Sequence, residues 1–116
     1  MMDAAQLELL RTRLLDRRQE ILQRLDNYEE ALNYLEQSRP TEFSEEAQEE
    51  AAANSLKALD ERERRELQEI VAALHRMDTG EYGICERCEK PIGPARLNAL
   101  PMVRFCIDCQ KRLEGN

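Results

Sequence analysis

Four cysteines in two C-x2-C pairs, Cys85 with Cys88 and Cys106 with Cys109, are separated by seventeen residues near the end of a 116-residue chain. Each pair lets a tight turn aim two thiolates at one point. Two pairs at this spacing match the C-x2-C-x15–20-C-x2-C pattern of a zinc site. Four sulfurs at ~2.3 Å complete a tetrahedron and leave no position for water or substrate, so the expected role is structural. Disulfides belong to secreted chains, and no secretory signal is visible. A redox-active dithiol and an iron site are the weaker alternatives. His75 reads as a surface residue near a helix end rather than a ligand.

Away from the cysteines the chain is too polar for a broad core. Charged residues make up 35%, and aromatic residues are limited to three Tyr and two Phe. This composition fits elongated helices that bury only a narrow seam. Acids are concentrated between Asp26 and Ser55, where nine carboxylates face one base, Arg39. Such a field repels nucleic-acid backbones and favours a basic protein surface as partner. No apolar run approaches the ~20 residues of a membrane span. A cytoplasmic location is expected.

From Leu7 to about Gln37 the apolar positions Leu7, Leu10, Leu14, Ile21, Leu25, Tyr28, Leu32 and Leu35 recur mostly at steps of three and four, as in a helical stripe. Pro40 stops that helix, because it removes a hydrogen bond and clashes with the preceding turn. A second helix is expected to start between Thr41 and Ser44. It runs through Leu56, Leu59, Leu67, Ile70, Val71, Leu74 and Met77 and stops at Gly80, a residue suited to a left-handed cap. Two long helices with a short connection predict an antiparallel coiled-coil hairpin over residues 1–79, its tip near 38–47. At 1.5 Å per residue each arm is roughly 45 Å long. Residues 80–116 form the four-cysteine zinc finger with a short terminal helix, and the fold class is mainly α.

A turn near residues 40–41 sets a register in which Leu10 meets Val71, Leu14 meets Leu67, Leu25 meets Leu56 and Leu35 meets Ala47. Both stripes are interrupted by charge, Arg17 and Arg18 on one arm and Asp60, Glu61 and Glu63 on the other. These predict an ionic layer across the hairpin at mid-arm, fixing register more than adding stability.

The pattern Gly80-x-Tyr82-Gly83-x-Cys85-x2-Cys88, then Ile92, Arg96-Leu97, Ala99 and Pro101, then Cys106-Ile107-Asp108-Cys109, resembles the DksA/TraR family of zinc-finger transcription regulators. Without gaps the resemblance runs back along the second helix through residues 61–65 to the hairpin tip. It implies a non-enzymatic regulator with one structural zinc that binds RNA polymerase rather than promoter DNA. The hairpin would enter the polymerase's secondary channel, the pore that leads to the active site. The family's tip motif, D-x-x-D-x-A, reads here as Glu42-Phe43-Ser44-Glu45-Glu46-Ala47, which implies tip roles for Glu42, Glu45 and Ala47. Both aspartates are replaced by glutamate, so each carboxylate reaches one methylene further, and Phe43 replaces the family's proline.

Some members also respond to ppGpp through basic residues. The first such position falls on Arg62, the others on Glu69 and on Gln110 beside Lys111. An acid and an amide are poor phosphate ligands, so a weak or absent ppGpp response is expected. The protein is expected to be a monomer without sequence-specific DNA contacts. Competing functions are a zinc-ribbon nucleic-acid binder, for which the finger offers Arg87, Lys90, Arg96, Arg104, Lys111 and Arg112, and a thiol-redox or zinc-sensing switch.

Overall fold

The computed structural model of the chain describes residues 2–25, 28–37 and 56–115. Five helices are seen among them: α1 (Ala4–Leu22), α2 (Tyr28–Gln37), α3 (Glu61–Thr79), α4 (Pro94–Ala99) and α5 (Ile107–Glu114). Pairing of extended backbone among the described residues is limited to a single bridge between Ile84 and Pro91. None of the described helices is long and apolar enough to cross a membrane.

The helix starts follow local chemistry. Asp3 opens α1 as a capping box: the Gln6 N–H donates to its Oδ1 at 2.8 Å, and the Gln6 side chain accepts from the Asp3 N–H at 3.2 Å. Asp60 opens α3 as a simple side-chain cap, accepting from the Glu63 N–H at 2.8 Å. The end of α3 is a complete Schellman motif. Gly80, at φ 80°, donates to the Met77 carbonyl, and Glu81 donates to the Arg76 carbonyl at 2.8 Å.

Neither arm is the single helix that its stripe predicts. α1 stops at Leu22, where the Arg24 and Leu25 N–H groups bond three residues back, to Ile21 and Leu22. The i→i+3 pattern tightens the last turn instead of propagating it, and the next residues in sequence, Asp26 and Asn27, are weak helix formers. The other arm turns at Lys57–Ala58 and restarts only at the Asp60 cap. The stripes still mark the buried face. Leu22, Leu25, Leu56 and Leu59, which flank the two interruptions, are all buried. The expected turn at Pro40, the expected start of the second helix and the Leu35–Ala47 pairing lie outside the described residues.

The chain divides into two compact units, Leu15–Val71 and Met1–Leu14 with Ala72–Asn116. The first buries Ile21, Leu22, Leu25, Ala31, Leu35, Leu56, Leu59, Leu67 and Ile70. There α1 and α3 pair antiparallel through charge. Arg17 grips Glu66 with two hydrogen bonds of 2.7 and 2.9 Å and also reaches Glu20 at 2.9 Å. Arg24 pairs with Glu63. The ionic layer is present, but with different partners from those expected. Arg17 meets Glu66, where a register counted from residues 40–41 would place Arg64. That count assumes helix throughout, and non-helical residues advance the chain about twice as far per residue. Asp60 is engaged as a cap, and Glu61 pairs with Arg65 along its own helix at 3.2 Å.

The second unit joins the start of α1 and the end of α3 to the finger. Its core is Leu10, Leu14, Ala73, Leu74, Met77, Ile92 and Leu97 with two of the cysteines. Arg11 bonds Asp78 at 3.1 Å, and Arg13 donates to the Asn98 carbonyl at 2.8 Å, tying α1 to α3 and to α4.

Candidate metal centre

Two knuckles present the cysteines. In the first, Cys85 lies just after the Ile84–Pro91 bridge, its N–H donating to the Lys90 carbonyl at 2.9 Å. The turn closes with the Glu89 N–H on the Cys85 carbonyl, also at 2.9 Å, and the Cys88 N–H reaches back to the Cys85 sulfur at 3.5 Å. Glu89 takes a left-handed φ of 64°, unusual for a residue with a Cβ. The second knuckle repeats the device on a helix: Cys106 is the N-cap of α5, and its sulfur accepts the Cys109 N–H at 3.4 Å. N–H groups aimed at sulfur stabilise thiolate.

All four sulfur atoms lie within 4.8 Å of one another, and those of Cys88 and Cys106 are 3.7 Å apart. A tetrahedron with metal–sulfur bonds of ~2.3 Å has edges of about 3.8 Å, so this donor set has the size of a zinc–tetrathiolate centre. Cys85 and Cys109 are buried; Cys88 and Cys106 are half-buried. Burial works to raise the Cys85 thiol, yet N–H donors from Cys88, Cys106 and Arg87 outweigh it and hold the group down at about 6. Burial and the crowding of the other three thiols push Cys109 up to about 12. Four sulfurs so close resist holding several negative charges by themselves. A dication among them removes the conflict and takes all four as thiolates. The chemistry and spacing fit one structural zinc ion, and four protein ligands leave no position for a substrate.

The walls of the site are held from outside. The Gly83 carbonyl accepts the Ile92 N–H at 2.8 Å, and the buried Leu97 of α4 packs 3.4 Å from where a Cβ on Gly83 would sit. Tyr82 donates its hydroxyl to the Pro101 carbonyl at 2.8 Å, and burial raises its pKa. Arg96 donates to the Phe105 carbonyl at 3.0 Å, immediately before Cys106. Arg104 chelates Glu86, which lies between the first two cysteines, at 3.0 and 3.2 Å, and stacks 5.0 Å from the centre of the Phe105 ring. Arg76 of α3 reaches the same carboxylate at 3.5 Å. Burial pulls its pKa below the usual arginine value. The cysteine spacing gave no hint of Arg76, Glu86 and Arg104 as a group.

The remaining expected residues are placed as follows. Arg62 and Glu69 are exposed on α3, Gln110 is half-buried with its amide on Glu114 at 2.8 Å, and Lys111 is exposed. His75 is half-buried on α3 and is not part of the four-sulfur group. Glu42, Glu45 and Ala47 lie outside the described residues.

Comparison with known proteins agrees with this geometry. Residues 80–115 match the prokaryotic dksA/traR C4-type zinc finger. The RNA polymerase-binding transcription factor DksA of Caulobacter vibrioides is 32% identical over 117 residues, covering 97% of this chain and 79% of that protein. An uncharacterised protein of Aquifex aeolicus is 34% identical over 93% of this chain and 76% of its own length. The solved structure of transcription factor DksA2 from Pseudomonas aeruginosa superposes with a TM-score of 0.62 at 35% identity, covering 97% of this chain and 85% of that one. The fold class is therefore the expected one, mainly α, an antiparallel coiled-coil hairpin with a small four-cysteine finger and a short terminal helix. With relatives at these identities aligned along nearly its whole length, this chain belongs to the DksA/TraR family of zinc-finger proteins.

Proposed function

We propose that this protein is a non-enzymatic transcription regulator that binds RNA polymerase through its secondary channel, acting as a monomer without sequence-specific DNA contacts. The observation that carries the reading is the likeness, over 97% of the chain, to a factor whose name states that it binds RNA polymerase. The closed four-thiolate site supports it, since a zinc with no free position has a structural rather than catalytic use.

In this reading the acidic hairpin tip lies near the polymerase active site. Glu42 and Glu45 act there by charge, because carboxylates close to catalytic metal ions bias the local field without joining the chemistry. Ala47 keeps the tip's small residue. Arg62, exposed on α3, contacts the channel rim or a bound ppGpp. Synergy with ppGpp is weak, because Glu69 repels phosphate and the Gln110 amide is occupied by Glu114.

The test is capture of core RNA polymerase by the zinc-loaded protein, competed with a second factor that occupies the secondary channel. Micromolar or tighter binding that the competitor displaces is expected; no binding at micromolar concentration removes the reading. Glu42→Ala combined with Glu45→Ala should abolish the effect on initiation while leaving capture largely intact. Unaltered regulation by that variant would remove the tip assignment alone.

A further inference from the structure

Arg76 is an arginine in the last turn of a helix, yet only 12% of its side chain is exposed. Its Nη1 faces Glu86 at 3.5 Å, and its Nη2 donates to the Met102 and Val103 carbonyls, each at 3.5 Å. Glu86 stands inside the first cysteine pair; residues 102–103 lead into the second. The two halves also meet directly, the Glu86 N–H donating to the Arg104 carbonyl at 2.9 Å while the Arg104 side chain returns to the Glu86 carboxylate. A guanidinium of fixed fork geometry is thus wedged where both approaches to the metal centre converge on α3. A cation this buried is tolerated only while its partners stay in place.

We propose that Arg76 is a positioning residue for the metal centre: acting through Glu86 and the Met102 and Val103 carbonyls, it gathers the two cysteine pairs at the end of α3 before zinc binds. The alternative is a chain in which zinc alone must close the seventeen-residue segment between Cys88 and Cys106 and order it. Pre-gathering the halves lowers that ordering cost, so zinc affinity depends on a side chain that donates to no cysteine sulfur. Groups that orient metal ligands from outside typically change affinity by about 10- to 100-fold when removed. The inference rests on the zinc centre and stands apart from the polymerase reading.

The test is zinc affinity, measured at neutral pH by competition with a chromophoric chelator, for the full chain and three variants. Arg76→Met keeps the apolar stem and removes the fork, and about 10- to 100-fold weaker binding is expected. Glu86→Gln should weaken binding several-fold. The double variant should bind less weakly than the product of the two single effects, because both changes break the shared Arg76–Glu86 contact, whereas unrelated destabilisations would multiply. Circular dichroism of the zinc-loaded forms should match the parent. Binding by Arg76→Met within twofold of the parent, or effects that multiply in the double variant, would overturn the proposal. Should Arg76→Met not fold even with zinc, a further variant, Arg76→Lys, decides, since it keeps the stem and the charge and loses only the fork: weakened binding supports the proposal, and unchanged affinity overturns it.

Discussion

Arg17→Met and Glu66→Gln, made singly and together, measure how much the mid-arm charge layer contributes. Exposed ion pairs typically contribute roughly 0.2–1 kcal/mol. Two parallel bonds of 2.7 and 2.9 Å and a glutamate only 24% exposed put this pair at the upper end, about 1 kcal/mol. The double-mutant cycle is needed because Arg17 also holds Glu20, so its single variant loses more than the pair. Urea unfolding of zinc-loaded protein, followed by the far-ultraviolet helical signal, should show a coupling of about 1 kcal/mol at low salt, equivalent to roughly 4 °C in Tm. In about 1 M NaCl, where the Debye length is about 3 Å, it should fall by half or more.

The coupling also has a definite pH dependence. The hydrogen bond from Arg17 holds the Glu66 carboxyl below its ordinary value of 4.5. A depressed folded pKa stabilises above the unfolded value and is lost as pH falls through the folded one. The parent's advantage over Glu66→Gln should therefore be full at neutral pH and disappear in acid below 4.5. Acid effects on the zinc centre are common to both proteins and cancel in the difference. A coupling below about 0.2 kcal/mol at low salt, or one indifferent to both salt and acid, would refute the layer.

Two further outcomes are expected. Chelating the zinc should weaken the helical signal of α4 and α5 and speed amide exchange across 80–115, without releasing the finger from the end of α3, while the amides of Leu15–Leu22, Tyr28–Gln37 and Glu61–Val71 stay protected, because the finger's own apolar core is little more than Ile92 and Leu97; an unchanged exchange pattern would contradict this. Asp60→Ala should destabilise α3 by about 1 kcal/mol, with Asp60→Asn close to the parent, read by urea unfolding, because the cap bond to the Glu63 N–H is lost in one and kept in the other.

What the sequence shows depends on how local the cause is. The cysteine pairs were legible because a C-x2-C turn needs only four consecutive residues. Gly80 was legible because a left-handed cap is a property of one residue. The buried stripes were legible at Leu10, Leu14, Ile21, Leu67, Ile70, Leu74 and Met77 because helical periodicity repeats. The interruption before Glu61 carries a signal of its own: Asp60 with Glu63 three residues on is a start signature placed inside an apparently continuous stripe. The partners of Arg17 were hidden, since a register counted from a distant turn accumulates every non-helical residue on the way. Arg76 was hidden for a related reason. Its carboxylate partner is ten residues away and its carbonyl partners 26 and 27, through a loop whose path no propensity specifies.

The capped end of α3 has a consequence for the length of the chain there. The N–H groups of Gly80, Glu81 and Tyr82 all return to the last turn of the helix, and the Tyr82 hydroxyl is fastened to the Pro101 carbonyl, 19 residues further along the chain. Helix and finger are thus spliced with no spacer. One residue added or removed at this splice cannot be taken up as slack; it must swing the tyrosine off its anchor or unwind the helix end. Added or lost residues are expected to be tolerated at exposed loop tips and not at this junction between helix and finger, where the cap and the tyrosine anchor fix the count.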